Sequence, residues 1–179
     1  MPSIGTIYPF GLRDLKFTLW ASPSTQVDLP AAITLEFKEV LVSAQLQGDD
    51  ALAAVHSLAS SVEWKIDAGG INMDALALIM GRTVLNSGTT TTRYDTLNGT
   101  DTDAPPYFKI YGKSVGADGG DIHCKILKCK ITEAPTFNFQ NGEFVHSGIT
   151  GIGIPDSANV SGRIFQFVYN ETATTLPTG

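Results

Sequence analysis

Apolar residues recur at every second position along much of this chain, and this period constrains the fold more than any other feature. Between Arg13 and Trp20, the residues Leu15, Phe17 and Leu19 fall on one face. The segment SVEWKIDA, residues 61–68, alternates in the same way. A period of two is typical of a β-strand with one buried face. The chain is therefore predicted to be mainly β.

The segment KIDAGGINMDALALIMG breaks this period and predicts a short helix at about residues 72–80. Gly69 and Gly70 permit a sharp turn, Asn72 suits the N-cap, and Gly81 suits the C-terminal stop. A phosphate-binding turn is disfavoured, because no G-x-G-x-x-G or G-K-[ST] motif and no basic residue is present, and two nearby aspartates would repel an anion. These four residues therefore predict a structural joint that lays a helix on a sheet.

The segment from Ala31 to Gln47 changes its apolar face part of the way along. Apolar residues occupy odd positions up to Phe37 and even positions from Val40 onward. This change predicts a bulge, bend or tight turn near Lys38-Glu39. We expect a long bent strand or hairpin arm that turns at residues 48–50. Residues 51–58 would pair back as a strand or form a helix.

The remaining segments suit one domain over residues 1–179, with a flexible loop and a terminal arm. Residues 86–106 form a polar stretch of the length that is usually functional or mobile. VGADGG and Asn141-Gly142 predict hairpin turns, the latter between strands at 137–140 and 143–145. The segment IFQFVY is apolar on both faces, so it is expected in the interior or against another subunit. Residues 170–179 are predicted to form an extended arm.

Charge excludes some classes of function. The net charge is −6 and the isoelectric point is about 4.9. Proteins that grip nucleic acid through its phosphates need clustered lysine and arginine, which this composition disfavours. The same argument disfavours binding to an anionic membrane. No run approaches the length of a membrane span, and the first residues do not resemble a signal peptide.

No motif supports an enzyme, a metal site or a cofactor. Cys124 and Cys129 lie in HCKILKCK, where a change of parity at Ile126-Leu127 predicts a bulge that puts both on the apolar face. Along one strand they would be too far apart for a disulfide, and zinc would need further ligands, so buried free thiols are predicted. NGTDTD lacks the closing glutamate of a calcium loop. No nucleophile motif such as G-x-S-x-G occurs.

The order of these segments resembles one known family. YPFGLRDLKFT, VDLPAAITLEF and LQGDDALAAV occur in the first third, followed by VEWKIDAGGINMDALALIMG. GGDIHCKILKCKIT, GEFVHSGITGIGI and GRIFQFVYNET complete the chain. Together they resemble the major tail proteins, or tail tube proteins, of long, flexible-tailed bacteriophages, especially those of actinobacterial phages. The resemblance covers nearly the whole chain.

The resemblance implies a fold, an assembly and a set of partners. Members have two antiparallel sheets in a barrel-like sandwich with the helix packed on one side. Rings of six subunits stack into a tube around a tape-measure protein, between tail-tip or distal tail proteins and a tail terminator protein. Phage DNA later passes through without specific binding. The chain would be assembled in the host bacterial cytoplasm and reside in the virion tail.

Within this expectation, two sets of residues are candidates for function. Acidic residues on polar strand faces would line the lumen, because a basic lumen would retain DNA: Glu36, Glu39, Glu63 and Asp67. Residues of turns, loops and the last strand would contact other subunits or rings: Gln45, Gln47, Asp49, Asp50, Arg93, Tyr94, Phe165, Phe167 and Tyr169. The C-terminal arm joins this second set.

Two other classes stay open from the sequence. A type VI secretion-like tube protein would share the fold and the oligomeric state. A β-sandwich binding module, such as an adhesin or carbohydrate binder, would be monomeric and would use a concave or loop-end site. Oligomeric state separates the tubes from the binding module.

Overall fold

The computed structural model describes residues 6–48, 51–117, 119–158 and 162–177, without the side chains of residues 48 and 51–53. Within these residues the chain forms eleven strands and one helix, which confirms the prediction of a mainly β fold. The elements are β1 (Pro9–Leu19), β2 (Gln26–Asp28), β3 (Ala32–Gly48), β4 (Ala51–Gly69), α1 (Met73–Met80), β5 (Val84–Ser87), β6 (Tyr94–Leu97), β7 (Phe108–Gly116), β8 (Asp121–Ile131), β9 (Thr136–Asn138), β10 (His146–Gly153) and β11 (Phe165–Asn170).

In the described residues, nine strands form one antiparallel sheet in the order β2-β1-β7-β8-β10-β4-β3. β10 and β11 follow each other along the same edge of β8, and β9 pairs with the start of β10. The sheet curls until β3 faces β7 and β11. A Cβ added at Gly112 of β7 would lie 2.7 Å from Leu35 Cδ2, and the Phe37 ring lies 5.4 Å from that of Phe167. The result is a barrel-like sandwich.

The interior of this sandwich is filled by the apolar faces of the alternating strands. Phe17 of β1, Phe108 of β7 and Ile66 of β4 are fully buried. The ring of Phe108 meets those of Phe17 and Trp64 edge to face, each at 5.7 Å between centroids. Such pairs add to the hydrophobic free energy of burial. The period-two pattern therefore predicted correctly which face of β1 and of β4 is buried.

The predicted joint between β4 and α1 is confirmed in its geometry. Gly70 has φ +82°, which favours glycine. Asn72 caps the helix, since its side chain accepts a hydrogen bond of 2.8 Å from the N–H of Ala75. Gly81 ends the helix with φ +70°. These local residues place α1 at the end of the sandwich where β4 ends, which we call the base.

The predicted buried face of α1 is wrong in part. The spacing indicated that Met73, Leu76, Ala77 and Met80 face the core. Instead, all five residues from Ala75 to Ile79 are buried, while Met73 is 39% exposed. The helix also contacts the small sheet of β5 and β6, so it is covered on more than the side that faces the main sheet.

β3 and β4 form one long hairpin, of 17 and 19 residues. Residues 51–58 therefore return as a strand and not as a helix. The expected irregularity exists but lies on the other strand: Val40 pairs with Ser61 and Leu41 pairs with Ala59, which leaves Ser60 as the extra residue. The prediction of a bulge at Lys38-Glu39 of β3 is therefore corrected to a bulge in β4.

Two predicted loops also differ from the structure. The stretch at 86–106 is not one continuous loop, because β6 pairs with β5 and Arg82 forms an ion pair of 2.7 Å with Asp103. Whether its loops are flexible stays a prediction. The hairpin at Asn141-Gly142 is confirmed, because β9 pairs with β10, but its turn is longer than predicted. β9 ends at residue 138 and β10 begins at His146, so residues 143–145 belong to a longer connection.

Candidate functional site

The outer half of the β3–β4 hairpin projects from the sandwich. The last pair that joins β4 to β10 is Val62 with Gly153, and beyond it β4 pairs with β3 alone among the described strands. Every described side chain in residues 41–47 and 54–60 is exposed. We call this part, residues 41–59, the arm. Its described large apolar side chains are all more than half exposed: Leu41, Val42, Leu46, Val55 and Leu58.

Polarity inverts where the body of the sandwich becomes the arm. In the body, Thr34, Glu36 and Lys38 occupy the outer face of β3, and Leu35 and Phe37 face the core. Strand alternation continues, so the even positions of the arm stay on the outer side. There they are apolar, as Val42 and Leu46 show. The arm therefore presents its more apolar face on the side away from its own core.

The described residues of the arm also lack charge. Between Glu39 and Glu63 the only Asp, Glu, Lys or Arg residues are Asp49 and Asp50, which lie outside the described residues. Monomeric proteins often place charged side chains on their exposed strands, and these charges prevent the strands from associating with other chains. An isolated two-stranded hairpin is also barely stable in water. An arm with two exposed faces, and with no charged side chain among its described residues, therefore has the properties of a surface that is covered in an assembly.

Three of the four predicted lumen residues share one polar face, and Glu39 does not. Glu36 and Glu63 lie opposite Lys65 and Lys38, respectively, across the β3–β4 ladder. Glu39 falls on the opposite face of β3 because its position is odd. Its assignment to a polar strand face is corrected, because Glu39 pairs with the buried Val62 and lies on the same face of the ladder. Whether any of the four lines a lumen stays a prediction.

The polar face contains both signs of charge. Lys65 Nζ lies 3.4 Å from Asp67 Oδ2, and the hydroxyl of Thr34 donates a hydrogen bond to the same oxygen at 3.2 Å. A groove of about 520 Å³ runs along this face and is also lined by Glu133 and Thr150. Since each lysine has carboxylates beside it, this face is poorly suited to holding a phosphate backbone.

The other predicted contact residues are partly engaged within the chain. Arg93 Nε lies 3.8 Å from Asp95, beside Tyr94, which is 60% exposed. On β11, the rings of Phe165 and Phe167 both contact Phe37. Phe167 is still 52% exposed, whereas Phe165 is half-buried. Gln45 and Gln47 are exposed on the arm, where another subunit could contact them. A role of these residues in contacts between subunits stays a prediction.

The C-terminal segment packs on its own chain as far as the structure describes it. The N–H of Thr174 and the amide of Asn170 each donate a hydrogen bond of 2.7 Å to Asp121. Gln26 of β2 bonds to the carbonyl of Pro177, and Leu176 is 4% exposed. The segment therefore crosses the outer face from β8 to β2. The segment predicted as an extended arm thus lies on its own subunit through Thr174 and Pro177.

A single buried carboxylate organises this contact. Asp121 is fully buried, and both Lys113 Nζ and His123 Nε2 lie 3.1 Å from it. Burial alone would raise the pKa of Asp121, but the hydrogen bonds from Asn170, Thr174, Lys113 and His123 outweigh it and lower the pKa to about 2. Asp121 is thus ionised at neutral pH and holds the tail to the sheet.

The two cysteines lie on β8, on either side of the predicted change of parity. The bulge in β8 is confirmed: Ile126 pairs with Ile110 and Cys129 with Phe108. Both cysteines are free thiols; burial raises the pKa of Cys124 to about 12 and raises that of Cys129 well above its usual value. In the described part of the chain, no group of three or more His, Cys, Asp or Glu could hold a metal ion.

Sequence reasoning missed two features of this surface. Phe139 and Phe144 are 70% and 90% exposed in the connection between β9 and β10. Their position beside Asn141-Gly142 was the available signal, because a residue next to a turn is often in solvent. Asp121 was also missed, and nothing near it in the sequence indicates that it meets residues about fifty positions away.

Comparisons with known proteins assign no family. A scan against protein-family models finds no match, and a search of curated proteins finds none either. Among the residues that the structure describes, no helix has the length and apolar character to cross a membrane. The geometry of the arm, the polar face and the sheet edges is therefore the basis for a functional proposal.

Proposed function

We propose that this chain is a structural subunit of a phage-type tail tube, in which copies join into stacked rings. The arm is the observation that carries this proposal. Its described residues carry no Asp, Glu, Lys or Arg, and its more apolar face points away from the core of its own subunit. Such a surface needs a partner to be stable, and the simplest partner is another copy of the chain.

The open edge of the main sheet supports lateral joining of subunits. β3 is the terminal strand of the sheet order, so one edge of its 17 residues has no partner strand among the described residues. A long unpaired edge is a template for a strand from another chain. In a ring, each subunit contributes one edge to its neighbour, and closure removes every exposed edge. Six subunits per ring is the number that the resemblance implies.

The polar face on β3, β4 and β10 suits the inner surface of such a tube. Glu36, Glu63 and Asp67 would repel a passing duplex, while Lys38 and Lys65 have carboxylates beside them. DNA would then pass without being retained, because little counterion release would be gained by contact. In this proposal the tape-measure protein occupies the same lumen during assembly, and tail-tip and terminator proteins close the ends.

Electron microscopy of the purified chain tests this proposal. Negative-stain images from dilute to concentrated protein should show rings or hollow tubes of uniform width. If the chain alone stays monomeric, the tail-tip complex and the tape-measure protein are added to start assembly. A chain that remains monomeric under those conditions overturns the proposal, and a glycan array would then test the monomeric binding module.

A further inference from the structure

The outer face of β1, β7 and β8 carries most of the lysines of the chain. Six of the eight lysines lie on this face, although the net charge of the chain is −6. They are Lys16, Lys109, Lys113, Lys125, Lys128 and Lys130. Charge is therefore segregated on this protein, and the net value alone does not describe what this face can bind.

Four of these lysines have no carboxylate partner within the described part of the chain. The ion pairs that the structure describes for the other two join Lys16 and Lys113 to three aspartates. We call the remaining four the lysine face: Lys109, Lys125, Lys128 and Lys130. All four residues are half-buried, so their charge is only partly solvated by water. An anion bound among them would compensate this charge.

Two aromatic rings hold part of this charge in place. Lys128 Nζ lies 4.4 Å from the centre of the Trp20 ring and 4.8 Å from that of Tyr107. Lys130 Nζ lies 5.3 Å from the centre of the same tyrosine ring. An ammonium group is attracted to the face of an aromatic ring, so both lysines are positioned before a ligand arrives. Binding then costs less conformational entropy.

The members of the lysine face also lie close to one another. Lys109 lies opposite residues 127 and 128 at the bulge in β8, and neighbouring strands are about 5 Å apart. Lys128 and Lys130 are about 7 Å apart along their strand. Like charges at neighbouring strand positions repel each other. A bound anion between them would remove this repulsion.

Two polar atoms beside the lysine face are buried without a hydrogen-bond partner in the described chain. They are Thr18 Oγ1 and Trp20 Nε1. Alternation along β1 places both residues on the outer face, where Thr18 pairs with Lys109. Buried polar atoms normally have a partner. An oxyanion beside Lys128 would supply an acceptor for the indole N–H.

We propose that the lysine face binds a phosphate polymer, that is, a chain of closely spaced phosphate groups. Each lysine that contacts a phosphate releases condensed counterions, which favours binding. Several ammonium groups spread over one face suit several linked anions better than a single ion. The inference goes beyond the proposed function and does not depend on it, because all four lysines belong to one subunit.

The structure favours a polymer without bases over a nucleic acid. Proteins that hold single-stranded nucleic acid stack its bases on aromatic side chains. Here the ammonium groups of Lys128 and Lys130 already lie over the rings of Trp20 and Tyr107, so these ring faces are not free for bases. The site therefore recognises charge. The polar face on β3, β4 and β10 differs, because its lysines have carboxylates beside them.

Titration with fluorescently labelled inorganic polyphosphate at low salt tests the site, with anisotropy as the signal. Lys128→Gln/Lys130→Gln should bind about tenfold more weakly than wild type, because two contacts with phosphate are lost. The slope of log affinity against log salt concentration should become shallower by about 1.5. The matched control is Lys38→Gln/Lys65→Gln, which removes the same charge from the polar face and should bind as wild type does.

A third variant tests the role of the rings. Tyr107→Leu keeps every charge but removes the ring beside Lys128 and Lys130. It should weaken binding about threefold, since the two lysines are no longer held in position. Its salt slope should stay that of wild type, because the number of lysine–phosphate contacts is unchanged. Circular dichroism and thermal melts confirm that every variant is folded.

Four results would overturn the proposal. They are no binding of polyphosphate at low salt, an equal loss in the control variant, competition by orthophosphate as effective as that by polyphosphate at equal phosphate concentration, and tighter binding of an oligonucleotide with the same number of phosphates. The second would mean that only net charge matters, and the last that bases are recognised. If electron microscopy shows no rings but the monomer binds polyphosphate as predicted, the tube proposal fails and this site stands.

Discussion

The β3–β4 hairpin has two halves that share one backbone ladder but differ in their surroundings. In the body half, Trp64 is 3% exposed and Ile66 is fully buried, and charges of both signs alternate on the outer face. In the arm half, Leu58 is 62% exposed and charge is absent from the described residues. Both halves share the β3–β4 ladder, but only the body half of β4 also pairs with β10. The difference lies in what covers each half.

The first prediction compares truncation in the two halves and has the largest expected effect. Trp64→Ala should lower the free energy of unfolding by about 3–5 kcal/mol, because it removes a large buried ring that contacts Phe108. Leu58→Ala on the same strand should change it by less than about 0.5 kcal/mol in the free chain, since the side chain is already in water. Urea denaturation of the monomer measures both. Equal losses would mean that the arm is covered within one subunit.

The second prediction concerns how tightly β10 covers the body half. A Cβ at Gly151 would lie 2.3 Å from both the carbonyl oxygen of Lys130 and the ring of Trp64. Gly151→Ala should therefore cost about 3 kcal/mol, at the upper end for overpacking. Gly148→Ala is the control on the same strand, because its new methyl meets only rotatable side chains, the nearest being the Thr136 hydroxyl. A similar cost for both substitutions would show that strand strain, and not contact with Trp64, decides the effect.

The third prediction concerns Asp121, which anchors the C-terminal tail to the outer face of β8. Asp121→Asn should lower the free energy of unfolding at pH 7 by about 2–3 kcal/mol, because Lys113 loses its buried partner. The control Asp101→Asn removes an exposed carboxylate and should change the stability by less than about 0.5 kcal/mol.

The same contact predicts a dependence on acid. The pKa of Asp121 is lowered from 3.8 to about 2, so its ionised form contributes about 2 kcal/mol of stability above pH 4. This contribution is lost as the pH falls from about 4 to 2. The difference between wild type and Asp121→Asn should therefore shrink over that interval in parallel urea titrations. A constant difference would assign the effect to packing of the tail and not to the charge.

Local signals predicted the helix joint, whereas long-range contacts decided the features that were missed. Gly70, Asn72 and Gly81 act on their immediate neighbours, so the sequence was sufficient. The irregularity near Lys38-Glu39 was placed on the wrong strand, because the extra residue is Ser60 of β4. The pattern marked where the change occurs but could not say which strand carries the extra residue.

The predicted surfaces divide in the same way. Alternation placed Glu63 and Asp67 on one face of β4, and the register of the ladder adds Glu36 of β3 to that face. Phe144 was not predicted as a surface residue, because an apolar side chain in a sequence is usually assigned to a core, and its exposure depends on the whole connection from β9 to β10. The anchor of the tail was not predicted, because Asp121 comes from β8 and meets the tail only in the folded chain.

The last prediction has the smallest expected effect on global stability and acts where the two halves meet. The hydroxyl of Ser60 donates a hydrogen bond of 3.2 Å to the carbonyl of Val40 and so stabilises the bulge. The bond is exposed, so Ser60→Ala should lower the free energy of unfolding by about 0.5–1 kcal/mol at most.

Since the arm is held to the body through this junction and through its own ladder alone, the loss should be concentrated in the arm. Amide hydrogen exchange should therefore become faster at residues 41–47 and 54–59 and stay unchanged at Ile66 and its neighbours. Ser57→Ala, at an exposed position within the arm, is the control and should leave both regions unchanged. Faster exchange throughout β4 would show instead that body and arm open as one cooperative unit, and the distinction between the two halves would then apply to their surfaces but not to their stability.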